Sequence, residues 1–480
     1  MKSSPVQSDA ASEAARISTR RVNARWWLWG LVTAGALLLL VVRGVVRGAA
    51  FSGDFTMIYA GGRVWLEGGN PYLLDVLYAA FVSAGGGAER AKDPTWFVAL
   101  YPPTTYALLG PLGALPWSAA RLVWLGLSLV SVGAIAAWAW RWRPRPERPE
   151  RSGGAGPVAM LWLLPLGLAF MPVHTTLRFG QLGLVVLALC VWAIGTPRRG
   201  GEARTESGEP MFAAALSGLL LAVAGGLKPQ LAGLFALGLM ATARWRTLAW
   251  CLVWGLGILA ISVGRWMFPD GTALSSWWVA LRTNLDAFAG QGFADPRPSN
   301  PMAHHMIHLE PLVWRLGSAA GMTGPAVFST IASASGVVVT VAAAFAAAWR
   351  LRGCRPWHEQ RQPGAITLWV AAVAATLTLL IAYHRAYDAV LLIVPAVWAL
   401  RAWARGARVT VALVGLGVLL YLVRLPELVG HVLPQRGTAW HPARLPGWQT
   451  LFMHQGTWSL LLMAGSLFLA GTTRRSTSAP

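Results

Sequence analysis

Acidic side chains are scarce in this chain, 19 Asp and Glu among 480 residues, and several ionisable residues interrupt long apolar runs. A charge in such surroundings is costly to keep and marks a candidate for function. Asp54 stands in GDFTMIYAGGRVWLEGGNPYLLD, just past the first apolar run. Its carboxylate can take a proton from a hydroxyl set against it, the work of a general base. By spacing alone the commoner role for such an acid is to satisfy free amides at a helix start. Asp75 in the same segment and Asp388 much later are the competing carboxylates.

Cations interrupt the apolar pattern too. Lys228, one of three lysines in the chain, breaks an apolar hairpin with KPQ. An ammonium there can stabilise charge that gathers on a departing phosphate, or can mark a helix end at the interface. RFGQ places Arg178 and Gln181 between two apolar runs. A guanidinium can hold a phosphate through parallel donors, and such a pair can equally satisfy the carbonyls of a broken helix. YHRAYD gathers His384, Arg385 and Asp388, a relay or ligand set that is also an ordinary local ion-pair arrangement. DPRPSNPMAHHMIHLE carries His304, His305 and His308. It lacks the second, separated ligand set of a zinc site, so no metal is expected, and a single histidine is better placed to bind an acceptor or donor. Arg43 and Arg47, one helical turn apart, face either a lipid phosphate or the headgroups.

The elements that carry these residues are helices in a bilayer. The chain is 55% hydrophobic and 12% charged, with mean hydropathy +0.50, too apolar for a soluble enzyme of this length. Apolar runs of spanning length recur from end to end. Spans are expected at about 26–47, 118–140, 157–173, 182–195, 211–226, 231–243, 247–268, 321–349, 365–382, 388–403, 409–424 and 450–471: an all-α, polytopic protein of about 12 transmembrane helices. Residues 101–117, with several prolines, read as a re-entrant or interfacial helix. Several spans are short, as helices bordering a cavity are, and RFGQ, KPQ and YHRAYD then fall on one side of the membrane.

The formal charge of +21 does not mark a nucleic-acid partner, because the arginines sit in alternate loops. The N-terminal tail, RWRPRPERPER and later breaks carry them, whereas the loops 50–117 and 269–320 hold Arg63, Arg90, Lys92, Arg282, Arg297 and Arg315 among more acids. This places both termini in the cytoplasm and the two long loops outside. The expected layout is a disordered tail (1–25), one membrane domain (26–471) and a short tail (472–480). The first apolar run lacks a small-residue cleavage site and reads as an uncleaved span. Cys190, Cys251 and Cys354 imply neither a disulfide framework nor redox chemistry. Most of the 27 tryptophans read as belt residues at the interfaces.

Taken in order, D-F-x-x-x-Y-A-x-G, G-N-P-Y, Y-P-P-T, R-F-G-Q and K-P-Q, on this hydropathy profile, resemble glycosyltransferase family 87 over roughly residues 50–400. The resemblance implies a C-type membrane glycosyltransferase fold and an extracytoplasmic active site in the inner membrane. It implies a polyprenyl-phosphate sugar as donor, mannose by the family resemblance alone, and a lipid or glycan acceptor. Asp54 would be the base of an inverting displacement, with Lys228, Arg178 and Arg385 on the donor phosphate. Tyr59, Asn70, Tyr72, Tyr101, Gln181, Gln230, His305, His308, His384 and Asp388 would line the substrate site. No cofactor is implied. The competing reading, a transporter or flippase of a lipid-linked sugar, expects matched halves, and no inverted repeat is evident.

Overall fold

The computed structural model describes residues 26–87, 98–143, 163–195, 210–242, 244–270, 273–290, 295–300, 303–322, 326–361, 365–381, 383–403, 407–423 and 447–470. The expected tails and the arginines at 145, 148, 151, 198, 199, 204, 405, 474 and 475 lie outside them. Among the described residues every regular element is helical, and the one β-type pairing is an isolated antiparallel bridge between Met306 and Arg385.

The chain runs α1 (26–50, with a π-helical stretch Leu40–Val46), α2 (Gly53–Leu66), α3 (Leu74–Ser83), α4 (Pro103–Gly113) and α5 (Trp117–Arg141). Then follow α6 (Leu163–Ala169), α7 (Met171–Phe179), α8 (Gly183–Ile194), α9 (Met211–Leu227), α10 (Pro229–Ala241), α11 (Trp245–Asp270) and α12 (Ala273–Gly290). The last are α13 (Leu309–Ala319), α14 (Ala326–Arg361), α15 (Ala365–Ile381), α16 (Ile393–Trp403), α17 (Arg408–Val423) and α18 (Gln455–Ala470).

Among the described residues four stretches are long and apolar enough to cross a membrane: Trp26–Leu66, Trp117–Arg141, Trp245–Arg265 and Phe328–Ala346. A fifth arises if α7 and α8, bent by 118° at their break, count together. The remaining apolar helices are shorter, α9, α10, α15, α17 and α18 among them. Two expected spans differ in detail. Residues 157–173 do not form one rod where described: Phe170 is extended between α6 and α7, and Pro172, which lacks an N–H, sits in the first turn of the new helix. Residues 388–403 begin as a 3₁₀ turn, Asp388–Leu392, before α16. The helix α4 is about 17 Å long, well short of the roughly 30 Å hydrocarbon core.

Aromatic packing fixes α2 beside α4 and α5. Phe55 stacks on Trp124, with ring centroids 5.0 Å apart and planes 1° from parallel, and on Trp117 at 5.9 Å. Tyr59 lies against Trp117 and its hydroxyl donates to the Leu115 carbonyl at 2.6 Å. Gly61 lets α4 approach, since a Cβ there would sit 2.2 Å from the Tyr106 ring.

One end of the bundle gathers arginines from separate loops. Arg244 donates to the carbonyls of Ala193 and Ile194 at the C-terminus of α8, and Arg141 and Arg401 lie over the rings of Trp192 and Trp142. The N-terminal end of α8 points the other way, to the polar centre described next.

Candidate active site

Four breaks in apolar helices meet at one level. The first is the elbow between α1 and α2. Ser52 adopts φ 39°, ψ 44°, the left-handed region that a residue with a Cβ seldom occupies, and its buried hydroxyl donates to the Gly48 carbonyl at 2.5 Å. The turn brings Asp54, a half-buried residue, into the first turn of α2. Its carboxylate accepts a hydrogen bond from the side-chain amide of Gln181. Helix capping therefore does not account for its partner.

The second break is RFGQ. Gly180 takes φ 67°, and a Cβ there would lie 2.7 Å from that of Phe55, so glycine is required twice over. Trp124 Nε1 donates to the Gly180 carbonyl at 2.9 Å, and Tyr101 hydroxyl reaches Gln181 Oε1 at 3.4 Å. The third is KPQ. Lys228 ends α9, where the hydroxyls of Thr104 and Thr105 donate to the carbonyls of Gly226 and Leu227 at 2.7 and 2.9 Å. YPPT thus ties down the turn that carries the lysine. The fourth is YHRAYD between α15 and α16, held to α7 by the Thr176 hydroxyl donating to the Tyr387 carbonyl at 3.0 Å.

The charges interlock there. Lys228 Nζ lies 2.5 Å from Asp388 Oδ1, both side chains buried, and over the Tyr387 ring at 5.4 Å. The other oxygen, Asp388 Oδ2, is 3.0 Å from His384 Nδ1. His384 Nε2 is buried and has no hydrogen-bond partner among the described residues. Arg385 donates to the Tyr383 hydroxyl and lies over that ring at 5.6 Å. Arg385, Lys228 and Asp388 all act electrostatically on Asp54. The arrangement is a half-buried carboxylate beside two cations, which suits proton abstraction next to a phosphate.

Other expected site residues stand further off. Arg178 is exposed, its guanidinium over the rings of Phe179 and Phe51 at 5.3 and 5.9 Å rather than in the Lys228 cluster. Tyr59 is part of the core, and Gln230 is exposed beside the KPQ turn. Asn70 Oδ1 accepts from the Tyr72 amide at 3.0 Å, and the Tyr72 hydroxyl donates to the Tyr101 carbonyl at 2.8 Å, so this pair supports Tyr101 from behind. Asp75 is exposed. His305 is half-buried, and the side chain of His304 lies outside the described residues. His308 is buried against Tyr383, with Nε2 3.6 Å from Glu310 Oε2. Burial pushes the His308 imidazole below its ordinary pKa although Glu310 acts the other way. Burial also works against the Glu310 charge, but His308 and Ser333 outweigh it and hold that carboxyl below its usual range. Among the described residues no group of three potential ligands could hold a metal.

Sequence reasoning passed over Tyr383, Tyr387, Thr104, Thr105 and Trp124. The two tyrosines stand inside a motif already singled out for its charges, and their aromatic faces against Arg385 and Lys228 were the readable signal. Nothing local marks Trp124, whose partner Gly180 is distant in sequence.

Fold and site together define an all-α membrane protein whose ionisable centre is assembled at helix breaks. The model of glycosyltransferase family 87 matches residues 99–382, more than half of the chain, and the chain belongs to that family. The matched segment contains Tyr101, Gln181 and Lys228, while Asp54 and residues 383–388 lie beyond its ends. The chain is also 30% identical over 196 residues to the polyprenol-phosphate-mannose-dependent alpha-(1-2)-phosphatidylinositol pentamannoside mannosyltransferase of Mycolicibacterium smegmatis. That match covers 40% of this chain and 38% of the relative, so the two correspond over well under half their lengths. No solved structure matches the chain.

Proposed function

We propose that this protein is a membrane glycosyltransferase that moves a hexose, mannose by analogy with its relative, from a polyprenyl-phosphate donor to a lipid or glycan acceptor. The supporting observation is the division of labour between two carboxylates. Asp388 is sequestered by Lys228 and His384, whereas Asp54 is partly exposed and held by a neutral amide. Asp54 is then the general base. It takes the proton of the acceptor hydroxyl as that oxygen bonds to the anomeric carbon. The bond from that carbon to the donor phosphate breaks on the opposite face, and configuration inverts. Lys228 and Arg385 stabilise the charge left on the phosphate. Gln181 and Tyr101 orient the base; His305, His308 and His384 are the candidate contacts for the sugar or the acceptor. Arg178, outside the cluster, meets a lipid headgroup at its rim. The distribution of arginines between alternate loops supports a site on the extracytoplasmic side of the inner membrane and termini in the cytoplasm.

The test is transfer by purified protein offered radiolabelled polyprenyl-phosphate mannose, glucose or arabinose. Asp54→Asn is expected to lower turnover by about 10²–10⁴, the usual contribution of a general base, with little change in thermal unfolding. Near-normal turnover by a folded Asp54→Asn protein removes the mechanism.

A further inference from the structure

Lys228 is not waiting with an open charge. Its ammonium lies 2.5 Å from Asp388 Oδ1, buried, and the carboxylate is shared with His384 Nδ1 at 3.0 Å on its other oxygen. An anionic ligand that takes Lys228 must therefore displace Asp388, and a carboxylate stripped of its cation in a buried site is costly. His384 is the only group already bonded to that carboxylate besides the lysine among the described contacts. With Nδ1–H donating to Asp388, its second nitrogen carries a lone pair, and that Nε2 is buried with no partner among the described residues.

We infer that binding of the donor phosphate at Lys228 is coupled to uptake of a proton on Nε2 of His384. The inference rests on the donor-phosphate reading above. Before binding, Lys228 and Asp388 neutralise each other and His384 is neutral. Afterwards the ammonium pairs with the phosphate, and the imidazolium pairs with Asp388. The proton, drawn from solvent, keeps the buried set balanced. Asp388 acts as a placeholder that holds Lys228 in register until the phosphate arrives.

The other groups facing this trio are His308 from the segment paired with residues 384–385, Tyr383, Arg385 and Tyr387 in the same turn, Tyr101 ahead of α4, and Asp54 on α2. Asp54 and His308 are the two alternative proton acceptors, so the experiment must separate them.

Full-length protein in nanodiscs is titrated calorimetrically with methyl citronellyl phosphate, a diester whose single charge does not change near neutral pH. The titration is repeated in two buffers of different ionisation enthalpy. The wild type is expected to take up close to one proton per site, and its affinity to weaken as pH rises, by at most about tenfold per unit, the limit for one coupled proton. His384→Gln keeps an amide donor for Asp388 and is expected to bind the diester with uptake near zero. Asp388→Asn leaves Lys228 unmatched and is expected to bind more tightly, again with uptake near zero. Asp54→Asn and His308→Gln keep the uptake.

Binding by the wild type without buffer dependence overturns the coupling and leaves the donor site standing. Uptake that survives His384→Gln, or that vanishes in Asp54→Asn or His308→Gln, places the proton elsewhere and overturns it as well. Failure of the diester to bind the wild type at all overturns the donor-phosphate reading itself.

Discussion

Gln181 holds Asp54 through a neutral amide, while Asp388 sits between an ammonium and an imidazole. Removing one member of a buried ion pair leaves the other unpaired, a loss of about 3–5 kcal/mol where the site cannot take in water. Lys228→Met is therefore expected to lower the thermal midpoint in detergent sharply, and adding Asp388→Asn to that variant should restore much of it. Equal midpoints for the single and double variants would mean that the pair is solvated. Transfer is lost in both, because neither retains the cation opposite the phosphate. The chemistry-bearing residues were legible because apolar flanks make a lone Asp or Lys conspicuous. Their pairing was not, since Lys228 and Asp388 come from helix breaks far apart in the chain.

The elements present those residues by stopping. Gly180 allows the 118° bend between α7 and α8: residues with a Cβ seldom adopt its φ, and a Cβ there has no space beside Phe55. Gly180→Ala is expected to cost about 1–3 kcal/mol in backbone strain and to reduce transfer by shifting Gln181. Gly225→Ala in α9 meets open space and should be neutral or stabilising by up to about 1 kcal/mol. Comparable unfolding midpoints for the two variants would remove the argument for a built break. The sequence pattern located these breaks as RFGQ, KPQ and YHRAYD, because polar residues punctuate apolar helices. It read 157–173 as one rod, since periodicity alone does not reveal that Pro172, without an N–H, stands in the first turn of a new helix. Trp124 likewise passed for an ordinary span residue, although its indole holds Gly180.

Across the whole molecule, the arginines at one end and the ionisable centre at the other give the bundle two distinct faces. Exposed cysteines report which face meets the cytoplasm. In a chain with its native cysteines replaced by serine, Asp75→Cys is expected to react with a membrane-impermeant maleimide in intact cells, and Arg143→Cys only after permeabilisation. The reverse pattern would put Asp54 in the cytosol and end the proposed use of an extracytoplasmic donor. Composition and the order of short motifs were enough to specify a helical membrane protein of this family, because hydrocarbon admits few backbone solutions and each motif is a local string. Which carboxylate is clasped and which is reachable was decided only by the tertiary structure. Partnership between charges depends on distances of a few ångströms among helix ends that lie more than a hundred residues apart.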